Sequence, residues 1–582
     1  MIFHPKPNGH IAGIRPGAAR FLPNRYDLLA FAILFGIFIA VAHGARVMER
    51  PLSSLDFTPV SLEPVNLIPY ALLSTLRMFA AIIASLVFTF VVATLAAKSR
   101  KAELLIVPAL DILQSVPVLG FLSFTVTAFM GLFPGNELGA ELAAIFAIFT
   151  SQAWNMTFSF YQSIRTVPKD MEEVARHFRL SGWMRFWRIE APFATPGLVW
   201  NTMMSMSGGW FFVVASEAIT VGNTKVTLPG IGSYLALAIE KQNLAAVAWA
   251  ILAMGVVILI YDQLVFRPVV AWADKFRVEL TAKTDKPTSW VYDVFSHSGV
   301  LRIVGRMFSW WSDWWARTLL AATRYVPASG QGRRSAWGDW LWIAVVLAGA
   351  GWGAWTIVSF VHANLTLGEV ATAFSLGFIT LLRVVVLIIL ASLIWVPAGV
   401  WIGLRPAVAE RVQPLAQFLA AFPANVMFPF FVVVIATYHL NPNIWLSPLM
   451  ILGTQWYILF NVIAGASAFP NDLREATTLM KVTRLQWWRD VMLPGIFPYY
   501  VTGALTAAGG SWNASIVAEV VSWGNTRIEA AGLGAYIAKA TEAGDMPRIV
   551  LGISVMSLFV IAFNRLLWRR LYTFAEQRLR LD

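Results

Sequence analysis

The chain has 582 residues, of which 58% are apolar and only 13% are charged, a balance that excludes a single soluble domain. Its net charge of +12 is carried by short segments between long apolar runs, which indicates membrane orientation and excludes a basic face for nucleic acid. The chain contains no cysteine, which excludes disulfide and thiolate chemistry.

Apolar runs without charge recur along the whole chain, at 28–45, 78–97, 142–164, 340–361, 384–404 and 412–440. Each is close to or longer than the roughly 20 residues that cross a hydrocarbon core. Backbone polar groups in lipid must be satisfied within the segment, so these runs predict helices. Six spans are expected in the first half, at about 28–46, 67–97, 104–131, 140–163, 193–220 and 245–266. Six are expected in the second half, at about 340–361, 370–404, 412–438, 444–466, 495–521 and 549–569.

The two sets of spans form an internal duplication. Arg77 matches Arg383 at an offset of 306 residues, and from the fourth span onward matched residues such as Glu217 and Glu519 lie 302 residues apart. Because six is even, the repeats are expected to be parallel and both chain termini to lie on the same side. The predicted fold is an all-α membrane protein with two tandem six-helix repeats and about 12 transmembrane helices. Its third spans are expected to kink at Pro117 and Pro423.

The distribution of basic residues predicts the orientation. In the first half, one alternate set of loops carries 13 Lys and Arg residues and the other set carries 4. The positive-inside rule therefore predicts cytoplasmic N- and C-termini and a cytoplasmic position for the basic loops of a multi-pass membrane protein.

The sequence predicts four parts. Residues 1–66 are expected to hold the cytoplasmic N-terminus, the first transmembrane helix and an outer loop, 67–269 a first core domain, and 339–582 a second. Residues 270–338 form a linker rich in tryptophan and arginine. Its segment 300–320 is predicted to be either an interfacial helix on the cytoplasmic leaflet or a helix packed against the bundle.

Two basic amphipathic segments of twenty residues, here called the twin elements, interrupt the apolar pattern at matching positions. Element 1 is "EVARHFRLSGWMRFWRIEAP" at 173–192, and element 2 is "EATTLMKVTRLQWWRDVMLP" at 475–494. Two equivalent loops on the cytoplasmic side would suit a partner with two-fold symmetry. No glycine is followed by lysine, so the chain lacks a phosphate-binding GxxxxGK[ST] loop, and any ATPase must be a separate polypeptide.

The twin elements resemble the "EAA…G…LP" loop of permeases of binding-protein-dependent ABC importers. Further matches resemble the nitrate/sulfonate/taurine group: "STLRMF" at 74–79, "TLLRVV" at 380–385, "WFFVVASE" at 210–217, "WNASIVAE" at 512–519, and the outer-loop "GIG" and "GLG". The resemblance implies a duplicated permease of the bacterial inner membrane for a small anionic solute, driven by two copies of a nucleotide-binding subunit and supplied by a solute-binding protein. ATP and magnesium would bind to those partner subunits, and this chain would hold no cofactor or metal and would not be an enzyme.

By the same resemblance, residues of the twin elements would couple the chain to the ATPase. These residues are Glu173, Ala175, Arg179, Ser181, Gly182, Glu475, Ala476 and Lys481. One departure concerns the glycine that the family carries seven positions into the loop, which is Arg179 in one copy and Lys481 in the other. A basic residue there puts the sharp turn between the two short helices in doubt.

Ionisable residues within predicted spans suggest a solute path. Arg77 and Arg383 each lie about ten residues into the second span, and two guanidinium groups at this depth could bind an oxyanion bidentately. The path hypothesis also includes Trp210, Trp512, Glu217 and Glu519. In the alternative, the two arginines form structural ion pairs with the two glutamates. A further alternative is a secondary, proton-coupled transporter of the major-facilitator type, although such a protein has no need for duplicated cytoplasmic elements.

Overall fold

The computed structural model describes residues 29, 36, 60–114, 118–134, 136–178, 180, 182–221, 224–276, 289–299, 307 and 336–578. Helices dominate the first half. In chain order they are α1 (Leu67–Lys98), α2 (Arg100–Leu113), α3 (Leu122–Leu132), α4 (Leu138–Arg165), α5 (Lys169–His177), α6 (Gly182–Arg185), α7 (Ala191–Glu217), α8 (Ile231–Glu240), α9 (Leu244–Tyr261), α10 (Arg267–Ala273) and α11 (Trp290–His297).

The second half repeats this order. Its helices are α12 (Ala336–Asn364), α13 (Leu367–Gly403), α14 (Pro406–Ala421), α15 (Phe428–Thr437), α16 (Pro442–Trp445), α17 (Ser447–Ile451), α18 (Trp456–Ser467), α19 (Asn471–Leu479), α20 (Arg484–Gln486), α21 (Leu493–Ala518), α22 (Leu533–Ala543), α23 (Met546–Phe563) and α24 (Arg569–Arg578). Short π-helical turns occupy matching places in both halves, at Phe186–Glu190, Asp262–Phe266, Trp487–Met492 and Asn564–Trp568.

Each half also contains a small antiparallel hairpin that the sequence did not predict. Strand β1 (Ala218–Val221) pairs with β2 (Thr224–Thr227), and β3 (Val520–Trp523) pairs with β4 (Thr526–Glu529). The fifth spans were expected to reach 220 and 521, but α7 ends at Glu217 and α21 at Ala518. The chain after each helix is rich in β-branched residues, which favour a strand, and in the sequence a Gly-Asn pair follows Val221 and Trp523. The all-α expectation therefore holds for the spans and not for these hairpins.

The described residues contain six helices that are long and apolar enough to cross a membrane, or eight if two bent pairs each count as one span. This is fewer than the 12 expected from sequence. The first expected span, at 28–46, lies almost wholly outside the described residues. Helices α4 and α7 match the expected fourth and fifth spans in position and are 28 and 27 residues long. They carry many serine, threonine, asparagine and glutamine residues and are not among the six apolar helices.

The third span of the second half is broken where the sequence predicts a kink. Helix α14 and the following segment Ala424–Thr437, which includes α15, are bent by 77° relative to each other, and Pro423 lies at the break. In the first half, α2 ends at Leu113 and a 3₁₀ turn at Val118–Phe121 precedes α3, while Pro117 lies outside the described residues. Proline has no backbone N–H to donate, and its ring clashes with the carbonyl of the residue four positions earlier in a helix. These two effects account for the break in the second half.

The two halves pack around one continuous apolar core. Two hydrogen bonds connect them: Val118 N–H donates to Asn513 Oδ1 at 2.7 Å, and Asn425 Nδ2 donates to the Phe211 carbonyl at 3.2 Å. In each case the broken third span of one half contacts the fifth span of the other. The tryptophan-rich segment 300–320 lies outside the described residues except for Met307, so both interpretations of that segment stay predictions.

Candidate functional site

Arg77 forms the centre of a buried ion cluster in the first half. Its Nε and Nη2 atoms donate to the two carboxylate oxygens of Glu141, each at 2.6 Å, and Nη1 donates to Glu217 Oε1 at 2.7 Å. Nη1 also donates to the Pro229 carbonyl at 2.9 Å. The Arg77 and Glu217 side chains are fully buried. A bidentate pair with complete desolvation is among the strongest contacts that a guanidinium group can make.

Arg383 forms the corresponding cluster in the second half with one substitution. Its Nη1 atom donates to Glu519 Oε1 at 3.0 Å, and Nη2 donates to Asn443 Oδ1 at 3.1 Å. Asn443 lies 302 residues after Glu141 and takes its place. The side chain of Arg383 is 11% exposed. The first cluster therefore contains two carboxylates for one guanidinium, whereas the second contains one of each.

These contacts favour ion pairing over the path interpretation of the two arginines. Each guanidinium group forms an ion pair with the glutamate that the alternative hypothesis names as its partner. Neither arginine lines the cavity between the two halves, which is described below. The sequence analysis does not include Glu141 among the site residues, because Glu141 directly precedes the charge-free run at 142–164. Glu141 nevertheless lies inside the expected span 140–163, and an ionisable residue within a span is the sequence signal that would have identified it.

The glycines of the "GIG" and "GLG" patterns have a geometric role. A Cβ atom on Gly230 would overlap the Glu217 carboxylate, and one on Gly532 would overlap that of Glu519. Since no side chain stands at these two positions, the backbone comes close enough to bind the carboxylates. Gly232 N–H donates to Glu217 Oε2 at 2.6 Å, and Ala535 N–H donates to Glu519 Oε2 at 3.0 Å. The "GIG" and "GLG" patterns thus allow helices α8 and α22 to approach the ion clusters closely.

Twin element 1 is connected to helix α1 by an ion network. Glu190 is almost fully buried, and its carboxylate contacts Lys98 Nζ at 2.6 Å and Arg185 Nε at 2.7 Å. Arg185 also donates to Glu172 at 2.6 Å. Lys98 is the last residue of α1, the helix that carries Arg77. The network therefore joins the element to the helix that carries the buried ion cluster.

Twin element 2 has apolar side chains at the positions that form this network in element 1. Glu190, Lys98 and Arg185 correspond to Met492, Leu404 and Trp487. Met492 is fully buried, and Leu404 and Trp487 pack against the same core. A capping box between Thr483 and Gln486 starts the short helix α20. These positions thus carry ionic groups in element 1 and apolar groups in element 2.

The turn that the sequence placed in doubt is made by Lys481 in a left-handed conformation, with φ of 52°. Val482 N–H donates to the Thr477 carbonyl at 3.1 Å, closing the end of α19. In element 1 the equivalent bond runs from Leu180 N–H to the Ala175 carbonyl at 3.0 Å. The departure from glycine therefore leaves the turn of element 2 intact. Arg179 and Ser181 lie outside the described residues.

The remaining coupling residues include two exposed glutamates. Glu173 and Glu475 lie on the exposed surfaces of α5 and α19, whereas Ala175 is buried and Ala476 is partly buried. Gly182 begins the short helix α6 and is exposed. Large apolar side chains nearby are exposed as well: Val174, Phe178, Trp183, Leu479, Met480 and Leu485. Each element thus presents a carboxylate beside an apolar surface.

A cavity of about 290 Å³ lies between the two halves. Helices α4 and α7 of the first half and α14, α17, α18, α21 and α23 of the second contribute to its wall. Of the six residues named for the path, Trp512 lines this cavity; Arg77, Arg383, Trp210, Glu217 and Glu519 do not. Among the described residues, no group of three or more His, Cys, Asp and Glu side chains is arranged to hold a metal ion.

The fold and these sites define a class: a multi-pass helical membrane protein made by fusion of two equivalent halves, each with its own loop element. Residues 86–267 and 395–581 each match the family described as "Binding-protein-dependent transport system inner membrane component", and together they cover more than half of the chain. The chain belongs to this family. It is therefore a fused permease component of the inner membrane, and such a component is not itself an enzyme.

Curated relatives agree with this assignment. The chain is 26% identical over 187 residues to the nitrate import permease protein NrtB of Leptolyngbya laminosa, which covers 32% of this chain and 63% of the relative. It is 25% identical over 176 residues to the bicarbonate transport system permease protein CmpB of Synechococcus elongatus, covering 30% and 60%. It is 24% identical over 195 residues to the taurine transport system permease protein TauC of Escherichia coli, covering 33% and 67%. The chain thus spans less than two thirds of the first relatives it matches.

Proposed function

We propose that this chain is the transmembrane subunit of an ATP-driven ABC importer and forms the path for a small anionic solute. Family membership supports the importer class. The substrate class rests on relatives named for nitrate, bicarbonate and taurine. A solute-binding protein would deliver the solute on the side of the hairpins, and the core domains at 67–269 and 339–582 would enclose the path.

The observation that carries the proposal is the pair of twin elements. Each presents an exposed glutamate, Glu173 or Glu475, beside exposed apolar side chains, a combination that suits a protein partner. Two copies of a nucleotide-binding subunit would dock here, one on each element. ATP and magnesium would bind to those subunits. The coupling set would comprise Glu173, Ala175, Arg179, Ser181, Gly182, Glu475, Ala476 and Lys481.

Copurification from membranes, followed by native mass measurement, tests this arrangement. Two ATPase copies per chain are expected, with no ATP hydrolysis by the isolated chain. Glu173→Ala and Glu475→Ala should assemble but lose solute-stimulated hydrolysis. The matched control is Glu240→Ala, an exposed glutamate at the end of α8, in the expected outer loop. A one-to-one complex, or full stimulation in both loop variants, would contradict the proposal.

A further inference from the structure

A basic groove lies on the helical segment 564–578, at the end of the second half. Helix α23 continues through the π-helical turn Asn564–Trp568 into α24. The groove has a volume of about 510 Å³. Its three arginines are exposed, whereas Trp568 and Ala575 on the same segment are buried. Most of the lining residues recur at spacings of four, which places them on one side of the helix: Arg565, Arg569, Arg570, Thr573, Phe574 and Gln577.

The position of the groove along its span corresponds to the lipid headgroups. Residues 549–564 carry no charge and directly precede Arg565. These 16 residues extend about 24 Å as a helix, which nearly crosses a hydrocarbon core of roughly 30 Å. Arg569 and Arg570 follow about 6–8 Å further along the helix. The exposed Leu566 between them and the span would contact acyl chains, while the arginine side chains extend to the headgroups.

Membrane orientation alone does not account for this cluster, because the first half ends its sixth span without one. The equivalent segment 262–276 has two basic and two acidic residues, so its net charge is zero. Segment 564–578 has four arginines and one glutamate, so its net charge is +3. Glutamine and proline occupy the positions of Arg565 and Arg570 in the first half.

The arginine that both segments share is paired with a carboxylate in the first half. Arg267 Nε donates to Asp262 Oδ2 at 3.0 Å. In the second half the equivalent residues are Arg569 and Asn564, so this partner has lost its charge. Among the residues that the structure describes, neither Arg569 nor Arg570 forms an ion pair. Neighbouring guanidinium groups repel each other, and a bound anion would relieve that repulsion.

We propose that the groove on 564–578 binds the headgroup phosphate of an anionic phospholipid, which Arg565, Arg569 and Arg570 hold on the side predicted to be cytoplasmic. Guanidinium groups suit phosphate because they donate two parallel hydrogen bonds to its oxygens. The Gln577 amide adds a neutral donor. Basic clusters directly beside a span are typical of sites for anionic lipids. The site goes beyond the function proposed above, and its tests need neither the ATPase nor transport, so either proposal can fail while the other stands.

Lipid titration of the full chain in detergent tests the site. Native mass spectrometry measures the binding of dioleoyl-phosphatidylglycerol and of its zwitterionic counterpart dioleoyl-phosphatidylcholine, which should bind more weakly. Arg565→Gln, Arg569→Gln and Arg570→Gln should each weaken phosphatidylglycerol binding about fivefold, the contribution of one basic residue near a membrane surface. The matched control is Arg267→Gln, at the paired position of the first half, which should bind this lipid as wild type does.

Two further arms identify what the groove recognises. Arg570→Lys keeps the charge, so it should bind phosphatidylglycerol within about threefold of wild type and separates loss of charge from loss of fold. Inorganic phosphate at the same concentration should not displace the lipid. Displacement by phosphate would assign the groove to a free anion and overturn the lipid site. Unchanged binding in all three Gln variants, equal binding of the two lipids, or an equal loss in Arg267→Gln would also overturn it.

Hydrogen exchange provides a readout in a bilayer. In nanodiscs of phosphatidylglycerol, α24 should exchange more slowly than in nanodiscs of phosphatidylcholine, whereas α10 of the first half should not differ. The chain with all three Gln substitutions should exchange equally in both lipids at α24. A difference that persists in this triple variant would show that the arginines do not hold the lipid.

Discussion

Glu141 and Asn443 lie at equivalent positions in the two halves, and each accepts hydrogen bonds from the guanidinium group of its own half. Glu141 binds Arg77 through two bonds of 2.6 Å, whereas Asn443 binds Arg383 through one bond of 3.1 Å. The first half thus holds an additional buried carboxylate at the same place in the fold. Duplication has preserved the geometry of the two clusters and changed their charge balance.

We expect this difference to appear in stability. Arg77→Gln leaves two buried carboxylates without their cation, and breaking a buried ion pair costs about 3–5 kcal/mol. Arg383→Gln leaves only Glu519 unpaired, in a cluster that is partly exposed, so its cost should be smaller. Purified yield and melting temperature in detergent measure both effects.

Two companion variants complete this test. Glu141→Asn reproduces the arrangement of the second half and should be nearly as stable as wild type. Neutralising Glu141 and Glu217 in the Arg77→Gln chain should restore yield. If Arg77→Gln folds normally and fails only in anion transport, the arginine serves the path and the ion-pair interpretation is wrong.

The connection of twin element 1 to α1 provides a second prediction. Glu190→Gln removes the charge that holds Lys98 and Arg185 and should uncouple ATP hydrolysis from transport in that half. The Lys98 side chain is 39% exposed, so its ion pair with Glu190 is of moderate strength and is screened by salt. We therefore expect the variant to import about fivefold less solute per ATP than wild type, and this difference should be smaller at high salt. The measurement is uptake and hydrolysis in the same proteoliposomes.

The second half supplies the control for Glu190. Met492→Leu alters the equivalent position by a volume-conserving change and should leave coupling intact. The pair Glu190→Met with Lys98→Leu places the apolar residues of element 2 at the matching positions of element 1 and should recover much of the loss. Equal uncoupling by Glu190→Gln and Met492→Leu would mean that the ion network has no special part in coupling.

The sequence was most informative where spacing carries the signal. The offsets of 306 and 302 residues, the Glu-to-Pro length of the twin elements and the break at Pro423 all depend on distances along the chain. The contact between Arg77 and Glu141 bridges 64 residues and arises only when α1 packs on α4. The cavity could not be predicted from the sequence either. Its wall consists of neutral residues from both halves, such as serine, threonine and tryptophan, and these have no distinctive spacing along the chain.

Lys481 provides a third prediction, because a residue with a Cβ atom in the left-handed region is strained by roughly 1–2 kcal/mol. Lys481→Gly should relieve this strain and slow hydrogen exchange at the end of α19, whereas Lys481→Val should speed it. If the lysine charge also contacts the ATPase, Lys481→Gly will weaken docking despite the better ordered loop. Lys539→Gly, at a helical position with negative φ in the second half, is the control and should destabilise its helix. Faster exchange in Lys481→Gly would show that the turn is not strained.

The hairpin of the second half supplies the last prediction, on pH. Lys539, hydrogen-bonded to Glu529, and the neighbouring Arg527 hold the pKa of the Glu529 carboxyl below its usual range. A carboxyl group whose pKa is lower in the folded state stabilises that state above its unfolded pKa of about 4.3 and loses this contribution as pH falls through the folded value. Protection of residues 520–529 from hydrogen exchange, corrected for intrinsic rates, should therefore decline below about pH 4. The hairpin 218–227, with Thr227 at the equivalent position, should change less, and Glu529→Gln should abolish the difference. Parallel loss of protection in both hairpins of the wild-type chain would contradict a specific role for Glu529.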